Sequence, residues 1–171
     1  MNQSLSNRVP LVVLAFSALL LCAGRTHATE ISGTISTTMT IYDDSELVSD
    51  VTCMVVGGPC IQFGASGIKL RLNGHTITEN TPGCTQSTSS DDGIDVIGEQ
   101  DVAILGPGLI QGFGGFGIFL LEDTKAKVEG VTISDSCFSG IILVGTTDTD
   151  IEKNVSVRNS KGSEGAPCGG T

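Results

Sequence analysis

The chain lacks tryptophan, has a single tyrosine and is poor in positive charge. Its 171 residues include 9 Lys and Arg against 19 Asp and Glu, which gives a net charge of −10. Binding to nucleic acid requires clustered Lys and Arg, so the charge balance argues against a nucleic-acid partner. An acidic surface also repels anionic polymers unless a local basic strip or a bound cation intervenes.

Only one long hydrophobic run is present, at residues 9–24. It follows Arg8 and precedes the small-x-small site at residues 26–28, a pattern typical of a secretory signal peptide. We predict that residues 1–28 are removed, because the run is too short for a membrane span. Loss of Arg8 and Arg25 leaves 7 basic against 19 acidic residues, a net charge of −12. The mature chain is expected to be secreted, and periplasmic or at the cell surface in a Gram-negative host.

Helical periodicity is also lacking. The chain has 23 glycines, and its apolar residues do not recur at the three-and-four spacing of a helix face. Alternating β and α units need helical segments of about ten residues or more between strands, and no such segment is visible. The sequence therefore predicts an all-β domain.

What is present is a sequence motif that recurs along the chain with a period of about two dozen residues. It lies at residues 68–77 and returns at 102–110, 126–133 and 151–157. Ile77, Ile110 and Ile133 are 33 and then 23 residues apart, and a Gly-Ile pair recurs at 93–94, 117–118 and 140–141. Such repeats are stacked units that bury their apolar faces against one another. We expect Ile110 and Ile133 to lie one above the other.

Within each repeat the apolar residues alternate with polar ones. Ile68, Leu70 and Leu72 alternate with the charged residues at 69 and 71, which is the period of a β-strand. Corners rich in Gly and Asn follow these strands, and such residues tolerate positive φ. We predict a coil of five to six rungs with three short strands per rung, in which each rung rises by about 4.8 Å.

The motif at 68–77 ends in Leu-Asn-Gly-His-Thr-Ile and is followed by Gly-Ile and valine-rich repeats. This pattern resembles the right-handed parallel β-helix proteins of the pectate-lyase-like superfamily. The resemblance implies a single-stranded right-handed parallel β-helix. It specifies a fold better than a reaction, because the motif consists of core and corner residues. We assign residues 29–65 to an N-terminal cap and first rungs, and 66–160 to repeats with an inserted loop at 79–92. Residues 161–171 form a tail that is either a lid or a truncation.

Five cysteines remain after signal removal. In an exported protein they favour disulfides over metal sites, and no C-x-x-C or paired-His spacing is present. Cys53 and Cys60 bracket a short Gly-Gly-Pro turn and form the favoured pair. Cys84, Cys137 and Cys168 compete for a second bond, and one of them is left over.

An acidic stretch at residues 89–95 contains Asp91, Asp92 and Asp95. It resembles the Asn-Thr-Asp-Gly-Ile-Asp stretch of polygalacturonase-type glycoside hydrolases, which implies candidate catalytic carboxylates. The second acidic pair of those enzymes and their Gly-His-Gly and Arg-Ile-Lys segments have no counterpart. Calcium binding by the same three residues is an alternative, since calcium requires six to eight oxygen ligands. We favour a solvated turn with Asp95 facing outward.

Other polar candidates are isolated. His75 is the only histidine after signal removal, and it is a candidate acid or base or, more simply, an exposed turn residue. A basic strip of possible ligand-binding residues comprises Lys69, Arg71, Lys125 and Lys127. Ion pairs with acidic residues on neighbouring rungs are the simpler explanation for it. We expect no cofactor other than calcium.

Aromatic residues are expected mostly in the core. Phe113, Phe116, Phe119 and Phe138 lie in repeats that favour an inward stack, although Phe113 and Phe116 are flanked by glycines and are candidates for exposure. The sequence predicts a non-catalytic extracellular binding or surface module, with polysaccharide favoured as ligand by the resemblance alone. The alternatives are a polysaccharide hydrolase or lyase that uses the acidic stretch, and a purely structural or adhesin-like solenoid.

Overall fold

A computed structural model describes residues 27–80 and 91–160. These ranges contain thirteen β-strands and no helix. The strands are β1 (Thr29–Ile35), β2 (Met39–Ile41), β3 (Ser45–Cys53), β4 (Ile61–Phe63), β5 (Lys69–Arg71), β6 (Thr76–Glu79), β7 (Ile94–Ile97), β8 (Ala103–Gln111), β9 (Ile118–Leu121), β10 (Lys127–Ser134), β11 (Ile141–Val144), β12 (Asp150–Glu152) and β13 (Val155–Val157). The all-β prediction is confirmed.

Three of the predicted segments fall outside these ranges. Residues 1–26 of the predicted signal peptide, residues 81–90 of the inserted loop and the tail at 161–171 are not among the described residues. Within residues 27–80 and 91–160, no helix qualifies as a membrane span.

The strands form two parallel sheets between which the chain passes in turn. Sheet A has the order β1-β3-β5-β8-β10-β12, with β6 beside β3 and β8, and β13 beside β10. Sheet B has the order β2-β4-β7-β9-β11. Each circuit of the chain adds one layer to both sheets, so the strands wind into a parallel β-helix as predicted.

The rungs differ from the prediction in one respect. Three separate strands per rung were expected, but β1, β3, β8 and β10 each continue through a corner. In β1 and β10 the register shifts where Gly33 and Gly130 adopt positive φ of 76° and 70°. A glycine in this conformation lets the strand bend while pairing resumes on the far side.

The core consists of columns of aliphatic side chains that run from rung to rung. Ile77 pairs in register with Ile110, and Ile110 pairs with Ile133. All three are 0% exposed. In sheet B, Ile94 pairs with Ile118 and is equally buried. The predicted superposition of Ile110 on Ile133 is therefore confirmed.

A column of glycines explains the recurrent Gly-Ile pair. A Cβ atom on Gly93 would lie 2.5 Å from the carbonyl oxygen of Gly117. A Cβ atom on Gly117 would lie 2.6 Å from the carbonyl oxygen of Gly140 and 2.3 Å from Cγ2 of Ile133. Only glycine fits at the corner before sheet B, because backbone of the next rung occupies the space of a side chain.

The disulfide prediction is confirmed for one pair. Cys53 and Cys60 are bonded, with Cα atoms 5.8 Å apart, and the bond closes the corner between β3 and β4. Cys137 is also disulfide-bonded. Cys84 and Cys168, its proposed partners, lie outside the described residues.

Candidate functional site

The outer surface of sheet B is almost free of ionisable groups. Ile94 and Val96 point into the core, so Asp95 between them points outward. Asp95 is in register with Gln62 on β4 and with Phe119 on β9. Asp95 is the only ionisable residue within the strands of sheet B. In a chain with a net charge of −10 this is an unusual concentration of uncharged surface.

Three phenyl rings cluster on this surface. Phe119 belongs to β9, and Phe116 and Phe138 lie in the corners that lead into β9 and β11. The ring centroids of Phe116 and Phe119 are 5.7 Å apart, and those of Phe116 and Phe138 are 5.5 Å apart. All three side chains are half-buried. The expected inward stack is therefore wrong for Phe119 and Phe138, and exposure is confirmed for Phe116 of the two candidates flanked by glycines. The other candidate, Phe113, is 1% exposed and lies in the core.

A fourth aromatic ring lies further along the same surface. A Cβ atom on Gly64 would lie 2.6 Å from Cε1 of Tyr42, so the tyrosine ring packs over the glycine backbone. Tyr42 is nevertheless 69% exposed. Its ring therefore rests on sheet B and leaves most of its surface to solvent. We call Tyr42, Gln62, Phe116, Phe119 and Phe138 the aromatic face.

The acidic stretch lies directly against this cluster. The Asp92 carboxylate accepts a hydrogen bond of 2.5 Å from the backbone N–H of Phe116, and the Asp91 carboxylate accepts one from the N–H of Gly57. On the neighbouring strand β6, Glu79 accepts a hydrogen bond of 2.8 Å from the N–H of Gly114. These carboxylates therefore cap backbone donors in the corners of adjacent rungs.

The three aspartates are buried. Asp91, Asp92 and Asp95 are 6%, 2% and 6% exposed, so the expected solvated turn is wrong. The physical reason is that buried N–H groups in the corners require acceptors, which the carboxylates of Asp91 and Asp92 supply. Asp95 does point outward, as expected, but neighbouring residues cover it.

Burial changes the acidity of this cluster. It raises the pKa of Asp95 to about 8, with further increases from the negative charge of Asp92 and from a hydrogen bond to that carboxylate. Burial likewise raises the pKa of Asp92 to about 6, against the hydrogen bond from Phe116. The pKa of Glu79 is raised to about 7 for the same main reason. At neutral pH, Asp95 is therefore protonated, and its carboxyl donates a hydrogen bond that the Asp92 carboxylate accepts.

The cluster does not have the arrangement of a metal site. Among the described residues, no group of three or more His, Cys, Asp or Glu side chains is placed to hold a metal ion. Asp91 and Asp92 each use a carboxylate oxygen to accept a backbone hydrogen bond. The calcium hypothesis for Asp91, Asp92 and Asp95 gains nothing from this geometry.

The remaining sequence candidates lie on or beside sheet A. His75 is in the corner before β6, where its Nδ1 lies 3.5 Å from a carboxylate oxygen of Asp50 and its side chain is 32% exposed. Lys125 is exposed in the corner before β10 and has positive φ of 56°. Neither residue lies within a strand of sheet B.

The predicted basic strip is interrupted. Lys69 and Lys127 align in one column, but Ala103 separates them. The Lys127 Nζ lies 2.9 Å from a carboxylate oxygen of Glu129, and an Arg71 nitrogen lies 3.9 Å from one of Asp44. The charged side chains on the outer surface of sheet A therefore form ion pairs with one another. A concavity of about 400 Å³ there has the paired side chains of Glu129 and Lys153 in its wall.

A sequence signal for the phenyl cluster exists but is short. Phe116 and Phe138 are 22 residues apart; Phe116 directly precedes one Gly-Ile pair, and Phe138 stands two residues before the next pair. This spacing places them in equivalent corners of successive rungs. The pattern does not predict on which side of the corner the ring lies. The Phe116 N–H donates a hydrogen bond to Asp92 on the preceding rung, and a local sequence pattern carries no information about that contact.

Comparison with known proteins agrees with this architecture. The family described as a right-handed beta helix region matches residues 40–169, which is most of the chain. No curated protein and no solved structure matches the sequence. The matched segment includes all strands from β3 to β13, and these strands pair only in parallel. The chain therefore belongs to the right-handed β-helix family.

Proposed function

We propose that this protein is a secreted, non-catalytic binding module and that its aromatic face binds an uncharged polysaccharide. The observation that carries the proposal is the set of aromatic rings on an outer sheet surface whose strands contain one ionisable residue. Secretion is supported by the signal-like N-terminus and by the Cys53–Cys60 disulfide, since disulfides persist in oxidising compartments.

The chemistry of the aromatic face suits a neutral sugar chain. Aromatic rings offer flat apolar surfaces for the C–H faces of sugars, and Gln62 adds an amide that both donates and accepts hydrogen bonds. The hydroxyl of Tyr42 is a second hydrogen-bonding group on the aromatic face. Anionic glycans fit less well, because the chain carries a net charge of −10.

The dimensions of the face favour a polymer over a single sugar. Tyr42 follows β2, and Phe119 lies on β9, three strands away in the order of sheet B. At about 4.8 Å per strand, the separation of these residues across the sheet is about 14 Å. A ligand that contacts both must contain several sugar units.

The test is a binding screen with matched variants. The secreted chain is assayed by affinity electrophoresis and calorimetry against neutral and anionic polysaccharides. We expect binding to at least one neutral polymer, with Tyr42→Ala and Phe119→Ala each weakening it by about 5- to 30-fold, which corresponds to about 1–2 kcal/mol per aromatic contact. Val48→Ala is the control, since Val48 is 43% exposed on sheet A.

Two results would count against this function. Absence of binding to every neutral polymer would refute it, and so would binding that Val48→Ala weakens as much as Tyr42→Ala does. Binding restricted to anionic polymers would move the site away from the aromatic face, towards the lysines of sheet A.

Hydrolysis by the acidic stretch is the second candidate. The raised pKa values of Asp92 and Asp95 are typical of catalytic carboxyls. Against this, Asp92 and Asp95 are 2% and 6% exposed, so a sugar chain has little access to them. Release of reducing ends from any polymer, abolished in a variant with Asp91, Asp92 and Asp95 all changed to Asn, would establish the hydrolase. Unchanged turnover in that variant would eliminate this site.

A further inference from the structure

A chain of contacts connects Asp95 with the phenyl cluster. The neutral Asp95 carboxyl donates a hydrogen bond to the Asp92 carboxylate. The Asp92 carboxylate accepts the N–H of Phe116 at 2.5 Å. The Phe116 ring packs on Phe119 at 5.7 Å and on Phe138 at 5.5 Å. One shared proton thus lies two contacts away from the aromatic surface.

We propose that Asp95 is a positioning residue that makes the aromatic face pH-sensitive: its neutral carboxyl holds Asp92 on the Phe116 backbone, and its ionisation releases the phenyl cluster. The proposal rests on the proposed function for the ligand, but not for the structural change. It assigns Asp95 no contact with the ligand, in keeping with an exposure of 6%.

The surroundings of Asp95 set the sign of the effect. Asp92 faces it from the corner before β7. The negative charge of Asp91 acts on Asp92 and on Glu79 of β6. From β4 and β9 its neighbours in register are Gln62 and Phe119, which carry no charge. No cation therefore faces Asp95 among the described residues.

Among residues 27–80 and 91–160, no positive charge offsets the ionisation of Asp95. Its Oδ1 has no hydrogen-bond partner among the described residues and is buried. A second negative charge beside Asp92 would add repulsion to this desolvation. The carboxylates must then separate, and the separation takes Asp92 away from the Phe116 N–H. We expect the phenyl cluster to be ordered at pH 6 and loosened at pH 9.

The composition of the chain provides a direct readout. With no tryptophan and one tyrosine, the near-ultraviolet circular dichroism of the folded protein reports largely on its phenylalanines, five of which follow the predicted signal peptide. We expect the phenylalanine bands of the wild type to lose intensity between pH 6 and pH 9, with far-ultraviolet strand signal retained. Binding of the neutral polysaccharide found in the screen should weaken at least fivefold over the same interval.

Neutral substitutions separate positioning from general structure. Asp95→Asn and Asp92→Asn each remove one of the two facing charges, and the amide introduced by Asp92→Asn still offers an oxygen to the Phe116 N–H. Both variants should keep the pH 6 spectrum and affinity at pH 9. Asp148→Asn is the control, because Asp148 is exposed and its positive φ of 53° suits asparagine. The control should titrate as the wild type does.

The outcomes distinguish this inference from the function on which it draws. A wild-type spectrum that does not change with pH overturns the inference, and so does a change that persists in both neutral variants. Polysaccharide binding with equal affinity at pH 6 and pH 9 overturns it as well, while leaving the proposed function intact. A pH-dependent spectrum without binding to any polysaccharide refutes the function and supports the conformational device.

Discussion

Asp123 allows a quantitative test of how burial of carboxyls shapes stability. It is 0% exposed in the corner before β10, and one of its oxygens accepts a hydrogen bond of 2.9 Å from the N–H of Glu99 on the preceding rung. Burial, as the largest cause, raises its pKa from 3.8 to about 6. Hydrogen bonds from backbone N–H groups oppose the rise without cancelling it.

The direction in which stability changes with pH follows from how tightly the folded and unfolded chains bind the Asp123 proton. Because the folded-state pKa is above the unfolded value, the native protein binds the Asp123 proton more tightly. The stabilisation is complete only well below the unfolded pKa of 3.8 and is lost as the pH rises to 6 and above. A shift of about two units corresponds to about 3 kcal/mol in all, at about 1.4 kcal/mol per unit. Because unfolded Asp123 is already more than half ionised at pH 4, we expect about 2 kcal/mol of the fall in unfolding free energy between pH 4 and pH 7 to come from Asp123.

Urea denaturation of the wild type and Asp123→Asn at pH 4, 5, 6 and 7 measures this contribution. The loss of stability between pH 4 and pH 7 should be about 2 kcal/mol smaller in Asp123→Asn. This comparison does not depend on the absolute stability of the variant, since the other buried carboxyls are common to both proteins. Asp148→Asn should retain the wild-type dependence. Equal pH dependence in wild type and Asp123→Asn would refute the reasoning.

Three further predictions concern the solenoid itself. Ile110→Ala should lower the free energy of unfolding in urea by about 2–5 kcal/mol, because Ile110 is 0% exposed within a core column; a loss below 1 kcal/mol would contradict this packing. Cys53→Ser should cost about 2 kcal/mol in the same assay, since the Cys53–Cys60 bond closes a short loop with a sequence separation of 7. Asn154, Val155 and Ser156 form an N-glycosylation sequon. We expect Asn154 to remain unmodified in the folded protein from a eukaryotic host, because its amide nitrogen donates to the Val128 carbonyl at 2.8 Å; a mass increase removed by glycosidase would show otherwise.

The fold could be predicted from the sequence because it depends on short-range patterns that recur. The alternation around Leu70 and the spacing of Ile110 and Ile133 each reflect a position in the rung, and stacking makes equivalent positions neighbours. Cys53 and Cys60 were predictable for a similar reason, since a short turn brings them together.

The candidate site was less predictable because it depends on contacts between corners. Whether Phe116 faces inward or outward is decided by its backbone hydrogen bond to Asp92, 24 residues earlier. Burial of Asp92 likewise depends on a donor from the next rung. Amphipathic alternation carries no information on such pairs, and the sequence therefore predicted a solvated turn where the structure has a buried acceptor.

The glycine column before sheet B also bears on how such a chain can lengthen. The 23 residues that follow Gly117 and end with Gly140 supply β9, β10 and the corner before β11. A tandem copy of these residues placed after Gly140 would bring its own glycine against the carbonyl below and its own isoleucines onto the existing columns. Stability of repeat arrays grows with each added neighbour interface. The protein thus contains a module by which duplication of one short gene segment extends the rod by a full layer.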